Sequence, residues 1–188
     1  MKNTNEMINF DYSKIPKEKD SKLDKFLFFA ALNGKFKRVI DLLLKGADPK
    51  ADDSFPIRAA SEFGYLNIVK LLLPISNPKE MESYALRKAT DNKHIKIIKL
   101  LIPYSDVKAD NSAALTSASS SGDIESVNLL LQLSDPKANN SKALRFAAIN
   151  NHPEIVKILL PYSDIPTIKR LKKLIETIGV NVDDFLMD

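Results

Sequence analysis

Cysteine and tryptophan are absent from the 188-residue chain, and histidine occurs only as His94 and His152. The missing thiols exclude a disulfide scaffold, a thiolate metal site and a cysteine nucleophile. They fit a reducing compartment, so the expected setting is intracellular and cytoplasmic. Neither histidine has a second one three or four residues away, so no metal site is expected. Glycine is scarce, at five, which argues against a phosphate-cradling loop and against a turn-rich all-β fold. Neither a G-x-x-x-x-G-K nor a G-x-G-x-x-G run occurs.

Long apolar runs are missing too. Stretches such as Phe26 to Leu32 fall far short of the roughly 20 residues a bilayer span needs. The first 24 residues mix charges with isolated apolar side chains and contain no signal core, so no membrane partner is expected. Twenty-eight basic against 24 acidic side chains leave a net charge of +4, too little to imply a nucleic-acid partner by itself.

What the chain does have is a period. Alanine recurs at Ala31, Ala60, Ala89, Ala118 and Ala147, and leucine at Leu43, Leu72, Leu101, Leu130 and Leu159, each step 29 residues. Aliphatic blocks surround each leucine, as in Ile68-Val69 followed by Leu71-Leu72-Leu73. Polar columns keep the same step: Asp48, Asn77, Asp106, Asp135 and Asp164; Lys50, Lys79, Lys108 and Lys137; Ser54, Ser83, Ser112 and Ser141. So many columns in register mark an internal repeat.

Each unit reads as two short helices and a linker. The recurrent serine stands where an N-cap of the first helix is expected, ready to accept from free first-turn amides. A tight turn follows at Gly64, Gly122 or Asn151, with Lys93 in the same place, and the left-handed geometry expected there is costly for lysine. Pro74, Pro103 and Pro161 end the second helix, and Asx-Pro pairs such as Asn77-Pro78 and Asp135-Pro136 start a turn. Helices this short are marginal alone, so the units must stack to bury their leucines. The small alanine lets neighbouring helices approach.

Phe55-Pro56-Ile57-Arg58-Ala59-Ala60, Gly64 to Leu73 and Gly46-Ala47-Asp48 resemble the T-P-L-H-x-A helix, the G-H-x-x-V-V-x-L-L helix and the G-A-D hairpin of the ankyrin repeat. The resemblance covers roughly residues 25–165. It implies an all-α helical-repeat solenoid of about five pairs with a C-terminal capping helix. It also implies a monomeric, non-enzymatic module without cofactor that binds another protein through its concave face, as an adaptor or an occluding inhibitor. The period is shorter than the family's usual repeat of about 33 residues, arginine or threonine replaces the histidine of T-P-L-H, and G-A-D occurs once. Short regular repeats rich in lysine and asparagine are also similar to ankyrin-like proteins of large DNA viruses and intracellular bacteria, which implies a host-directed role.

The expected organisation is a polar leader over 1–24, five repeats over 25–165, and a capping helix with an acidic tail over 166–188. Ser21-x-x-Asp24 reads as a capping box opening the first repeat. The tail, with Asp183, Asp184 and Asp188, is expected to fray. In the leader, Met7, Ile8, Phe10, Tyr12 and Ile15 either pack on the first repeat or stay loose.

Recognition is expected where residues vary between repeats while the frame stays fixed. One row carries Phe55, Tyr84, Ala113 and Lys142, and another carries Arg58, Arg87, Thr116 and Arg145. Glu62, Phe63, Asp91 and Asn92 follow the first helices at the same rim. Aromatic and arginine side chains suit contact surfaces because planar groups give large contact for little lost entropy. Against that reading, Phe55 and Tyr84 are also suited to packing beside the linker, and the arginines to bracing the turn. The alternative partner is nucleic acid, met by basic stretches at 87–99 and 169–173. His94 and His152 lie near the interhelix turns, where the resemblance implies a surface or turn-bracing histidine, and no catalytic residue is expected.

Overall fold

The computed structural model describes residues 9–186. Among them lie eleven α-helices and no strand. The chain divides into two compact units at the Ser105–Asp106 boundary. The first contains α1 (Ser21–Leu32), α2 (Phe36–Leu44), α3 (Ala51–Glu62), α4 (Leu66–Leu72), α5 (Glu80–Asp91) and α6 (Ile95–Leu101). The second contains α7 (Ala109–Ser121), α8 (Ile124–Leu130), α9 (Ala138–Ile149), α10 (Pro153–Leu159) and α11 (Ile165–Thr177).

The repeating columns are the core. The five recurrent alanines and the five recurrent leucines are all fully buried. Each enclosed leucine contributes about 1.5–3 kcal/mol relative to an exposed one. Within each unit the first helices of successive pairs pack along their lengths, whereas the second helices meet over few residues. The second helices stop as the prolines require: α4, α6 and α10 each pass into a short 3-10 turn holding Pro74, Pro103 or Pro161.

The turns between paired helices carry the expected left-handed residues, Gly64 and Gly122 at φ +77° and +74°, Lys93 at +57° and Asn151 at +59°. At the glycines a second constraint is present. A β-carbon on Gly64 would stand 2.7 Å from the His94 ring, and one on Gly122 would stand 2.7 Å from the His152 ring. Each ring lies over the glycine of the preceding repeat, and its Nε2 reaches a carbonyl there, Glu62 at 3.0 Å or Ser120 at 3.1 Å. Both histidines are thus turn braces.

The linkers correct one sequence expectation. Four first helices open with three consecutive left-handed residues: 52–54, 81–83, 110–112 and 139–141. In three of these turns the closing serine does not serve as the cap of its own helix. Ser54, Ser112 and Ser141 accept instead from the backbone amides of Asn77, Asp135 and Asp164, each 23 residues ahead and 2.8–3.0 Å away. The left-handed backbone buries the hydroxyl and turns it towards the next linker, so it ties repeat to repeat. The Asx-Pro turns are present as expected, with the Asn77 and Asp135 side chains accepting from the Lys79 and Lys137 amides. Asp and Asn tolerate the left-handed region, while ordinary residues lose about 1–2 kcal/mol each. Met81 and Glu82 are the costly pair.

In the first repeat a carboxylate does the serine's work. Asp24 accepts from the Asp48 amide at 2.8 Å, and α1 is capped by Asp20, whose side chain accepts from Lys22. The capping box expected at Ser21 and Asp24 is not formed, because Asp20 is the N-cap and Ser21 is already the first residue of the helix. Of the leader, Met7 and Ile8 lie outside the described residues. Tyr12 donates to the Leu71 carbonyl at 2.9 Å and stacks edge-on against Phe10, and Ile15 is half-buried.

At the other end, α11 packs against α9 with Thr167, Ile168 and Ile175 buried, the closing role expected of a capping helix. Asp164 caps it, accepting from the Thr167 amide and from the Ser141 hydroxyl. Burial acts to raise the Asp164 pKa, but the hydrogen bonds from Ser141 and Thr167 outweigh it and hold the carboxyl below its usual range. The acidic tail departs from the fraying expected of it. Asp183 pairs with Lys172 at 2.7 Å, and Val180 and Val182 are buried, anchoring that stretch. Asp188 lies outside the described residues.

Candidate functional site

The first-helix face of the amino-terminal unit carries a stack of planar groups. Phe28 lies on Phe55 with centroids 3.7 Å apart and planes 18° from parallel. The Arg58 guanidinium carbon stands 5.2 Å from the Phe55 ring centre and 5.4 Å from that of Tyr84. The Arg87 guanidinium lies 5.1 Å from the same Tyr84 ring, and the Lys88 ammonium 5.3 Å. The order Phe28, Phe55, Arg58, Tyr84, Arg87 thus crosses α1, α3 and α5: a ring pair, then cation and ring in turn, with each cation–ring contact worth about 0.5–2 kcal/mol.

Arg58 is the hub of this stack and is only 8% exposed. Its Nη2 donates to the Asp52 carbonyl and its Nη1 to the Met81 sulfur, both at 2.7 Å. Buried Nε has no partner among the described residues. Both acceptors come from left-handed turns: the Asp52 carbonyl from the turn that opens α3 itself, and the Met81 sulfur from the turn that opens α5. Beside the hub, Lys88 pairs with Glu62 at 3.4 Å and Asp91 at 3.9 Å. Burial works to lower the Lys88 pKa, but attraction from Glu62 and the Tyr84 side chain outweighs it, and the net shift is upward. Between α1 and α3 opens a cleft of about 400 Å³, lined by Phe28, Phe29, Phe55 and Pro56 with Asp24, Lys25 and Asp52 at its edge.

The structure brings Phe55, Arg58, Glu62, Tyr84, Arg87 and Asp91 together in this cluster. Phe63 is half exposed at the end of α3 and faces Tyr65, and Asn92 caps the end of α5 through the Lys88 carbonyl. Thr116, Lys142 and Arg145 belong to the carboxy-terminal unit, where the Lys142 ammonium sits 5.8 Å from the Phe146 ring. Phe28, Met81 and Lys88 were missed by the row-by-row reading. Phe28 is out of phase with the aromatic row, and only the run Phe26-Leu27-Phe28-Phe29 hints at it. Met81 acts through its side-chain sulfur, presented by a left-handed backbone.

Among the described residues no group of histidine, aspartate and glutamate side chains is placed to hold a metal ion. No helix there is long and apolar enough to cross a membrane. The family model for ankyrin repeats, in three copies, matches residues 27–113, 57–140 and 105–171. No curated protein matches the chain.

Proposed function

The chain belongs to the ankyrin-repeat family, whose repeats in general mediate protein–protein contact, and from that premise we propose that it is a non-enzymatic adaptor or occluding inhibitor. Its partner-binding surface is the concave first-helix face, centred in the amino-terminal unit on Phe55, Arg58, Tyr84 and Arg87. The observation that carries this reading is the stack itself. Planar side chains held in place before contact lose little entropy on binding, the property that concentrates binding energy in aromatic and arginine residues. Glu62, Phe63, Asp91 and Asn92 border that centre, and Thr116, Lys142 and Arg145 serve the corresponding face of the second unit. The monomeric state, cytoplasmic setting and host-directed role expected from the sequence belong to the same proposal.

Pairing within the basic stretches favours a protein over a nucleic acid. Lys88 is held by Glu62, and Lys172 by Asp183 and Glu176. Affinity capture with the full chain, run beside the Tyr84→Ala/Arg87→Ala variant, tests the proposal. A protein retained by the wild type through a salt rise and lost by a variant of unchanged melting temperature supports it. Identical capture by both chains refutes this surface. Release of bound nucleic acid as salt rises supports the alternative.

A further inference from the structure

We propose that the cleft between α1 and α3, together with Arg58, receives a partner segment in which an acidic side chain neighbours a bulky apolar one. The inference rests on the protein-binding reading above and names the chemistry of the partner. Two independent observations carry it. The first is the cleft, an apolar space of about 400 Å³ walled by Phe28, Phe29, Phe55 and Pro56, within the size range of sites that enclose ligand groups. The second is the state of Arg58. A guanidinium removed from water is stable when a carboxylate takes its fork of donors, yet none of the contacts found for Arg58 is to a carboxylate. Its acceptors are one carbonyl and one thioether, a weak acceptor, and Nε is buried with no partner among the described residues.

The two features adjoin. Phe55 walls the cleft and stacks on Arg58, and Asp52, whose carbonyl binds Arg58, lies at the cleft edge. Met81 covers the guanidinium from a residue that is itself half exposed and left-handed at φ +49°, so an incoming carboxylate displaces a weak acceptor on a strained residue. Charge points the same way: Arg58, Arg87 and Lys88 converge on Tyr84, and although Glu62 and Asp91 already pair with Lys88, none of the contacts found for Arg58 is to a carboxylate. Opposing carboxylates are present at the turns: Asp52, Asp53 and Glu82 are exposed there. Solvation leaves such surface charges with little influence next to a desolvated cation. Asp24, which accepts from the Asp48 amide, lines the cleft beside Lys25, whose charge is opposite.

The test selects a displayed random-peptide library on the full chain and measures the enriched peptides by fluorescence anisotropy. Enriched sequences are expected to place glutamate or aspartate beside phenylalanine, leucine or tryptophan. Changing that acid to its amide in the peptide is expected to weaken binding to the unaltered chain by about thirtyfold or more, the loss typical of a buried charged pair. Met81→Ala is expected to retain or tighten binding, and Phe29→Ser to weaken it. Enrichment of basic or purely apolar peptides, no enrichment at all, or indifference to the acid-to-amide change overturns the inference. If a captured protein is still lost on Tyr84→Ala/Arg87→Ala in those cases, the broader protein-binding reading survives alone.

Discussion

Replacing Gly64 with alanine tests how one repeat is locked to the next. The residue sits at φ +77°, where an L-residue loses about 1–2 kcal/mol. The new methyl group would also meet the His94 ring at 2.7 Å from Cε1, 2.9 Å from Nε2 and 3.0 Å from Nδ1. The ring cannot swing away freely, because Nε2 is held to the Glu62 carbonyl at 3.0 Å. Overpacking of this kind costs about 1–3 kcal/mol, so the expected total is about 2–5 kcal/mol. Gly179 supplies the control: its φ is +82°, but a β-carbon there meets nothing within 4 Å. Gly179→Ala should therefore lose only the backbone component of about 1–2 kcal/mol. Urea unfolding followed by circular dichroism gives the comparison, and His94→Ala gives the second leg, since without the ring the Gly64→Ala penalty should fall to the Gly179 level. Equal losses at Gly64 and Gly179, or a Gly64 penalty unchanged in the His94→Ala background, would refute the ring-on-glycine lock.

Ser112→Ala removes the acceptor of the Asp135 amide and should lower stability by about 1–2 kcal/mol, read as a fall in melting temperature. Glu82→Asn places a residue tolerant of the left-handed region at φ +56° and should raise stability by about 1 kcal/mol. Asp164 has a lowered pKa in the fold, where burial is outweighed by the bonds from Ser141 and Thr167. Its contribution is therefore complete above its unfolded value near 3.8 and disappears as pH falls through the lower folded one. Melting temperatures measured down to strongly acidic pH should show a wild-type loss that Asp164→Asn lacks.

The period made the helix pairs legible because burial acts on every repeat alike: the alanine and leucine columns can be read directly, and the structure encloses each of them. Proline after the leucine block and glycine, lysine or asparagine in the turn were equally readable, since both act through the local backbone. Serine was misread for a physical reason. A hydroxyl before a helix can accept from its own first turn or from a distant linker, and only the left-handed turn at 52–54 and its counterparts decides between them. The glycine-to-ring lock had a visible trace in the row Tyr65, His94, Asp123, His152, where the one non-ring residue follows the repeat whose turn carries Lys93 in place of glycine. At the candidate site, rows found Phe55, Tyr84 and the arginines, but a stack formed diagonally between Phe28 and Phe55 escapes any reading that compares equal phases.

The central claim is that repeats are joined by a serine hydroxyl gripping the next linker's amide. Residue-resolved hydrogen exchange on the full chain measures this directly. The amides of Asn77, Asp135 and Asp164 should exchange slowly although their residues lie at the surface or are only half-buried, and Ser54→Ala, Ser112→Ala and Ser141→Ala should each release the matching amide alone. Exchange of these three amides at the rate of an unstructured peptide in the wild type would contradict it.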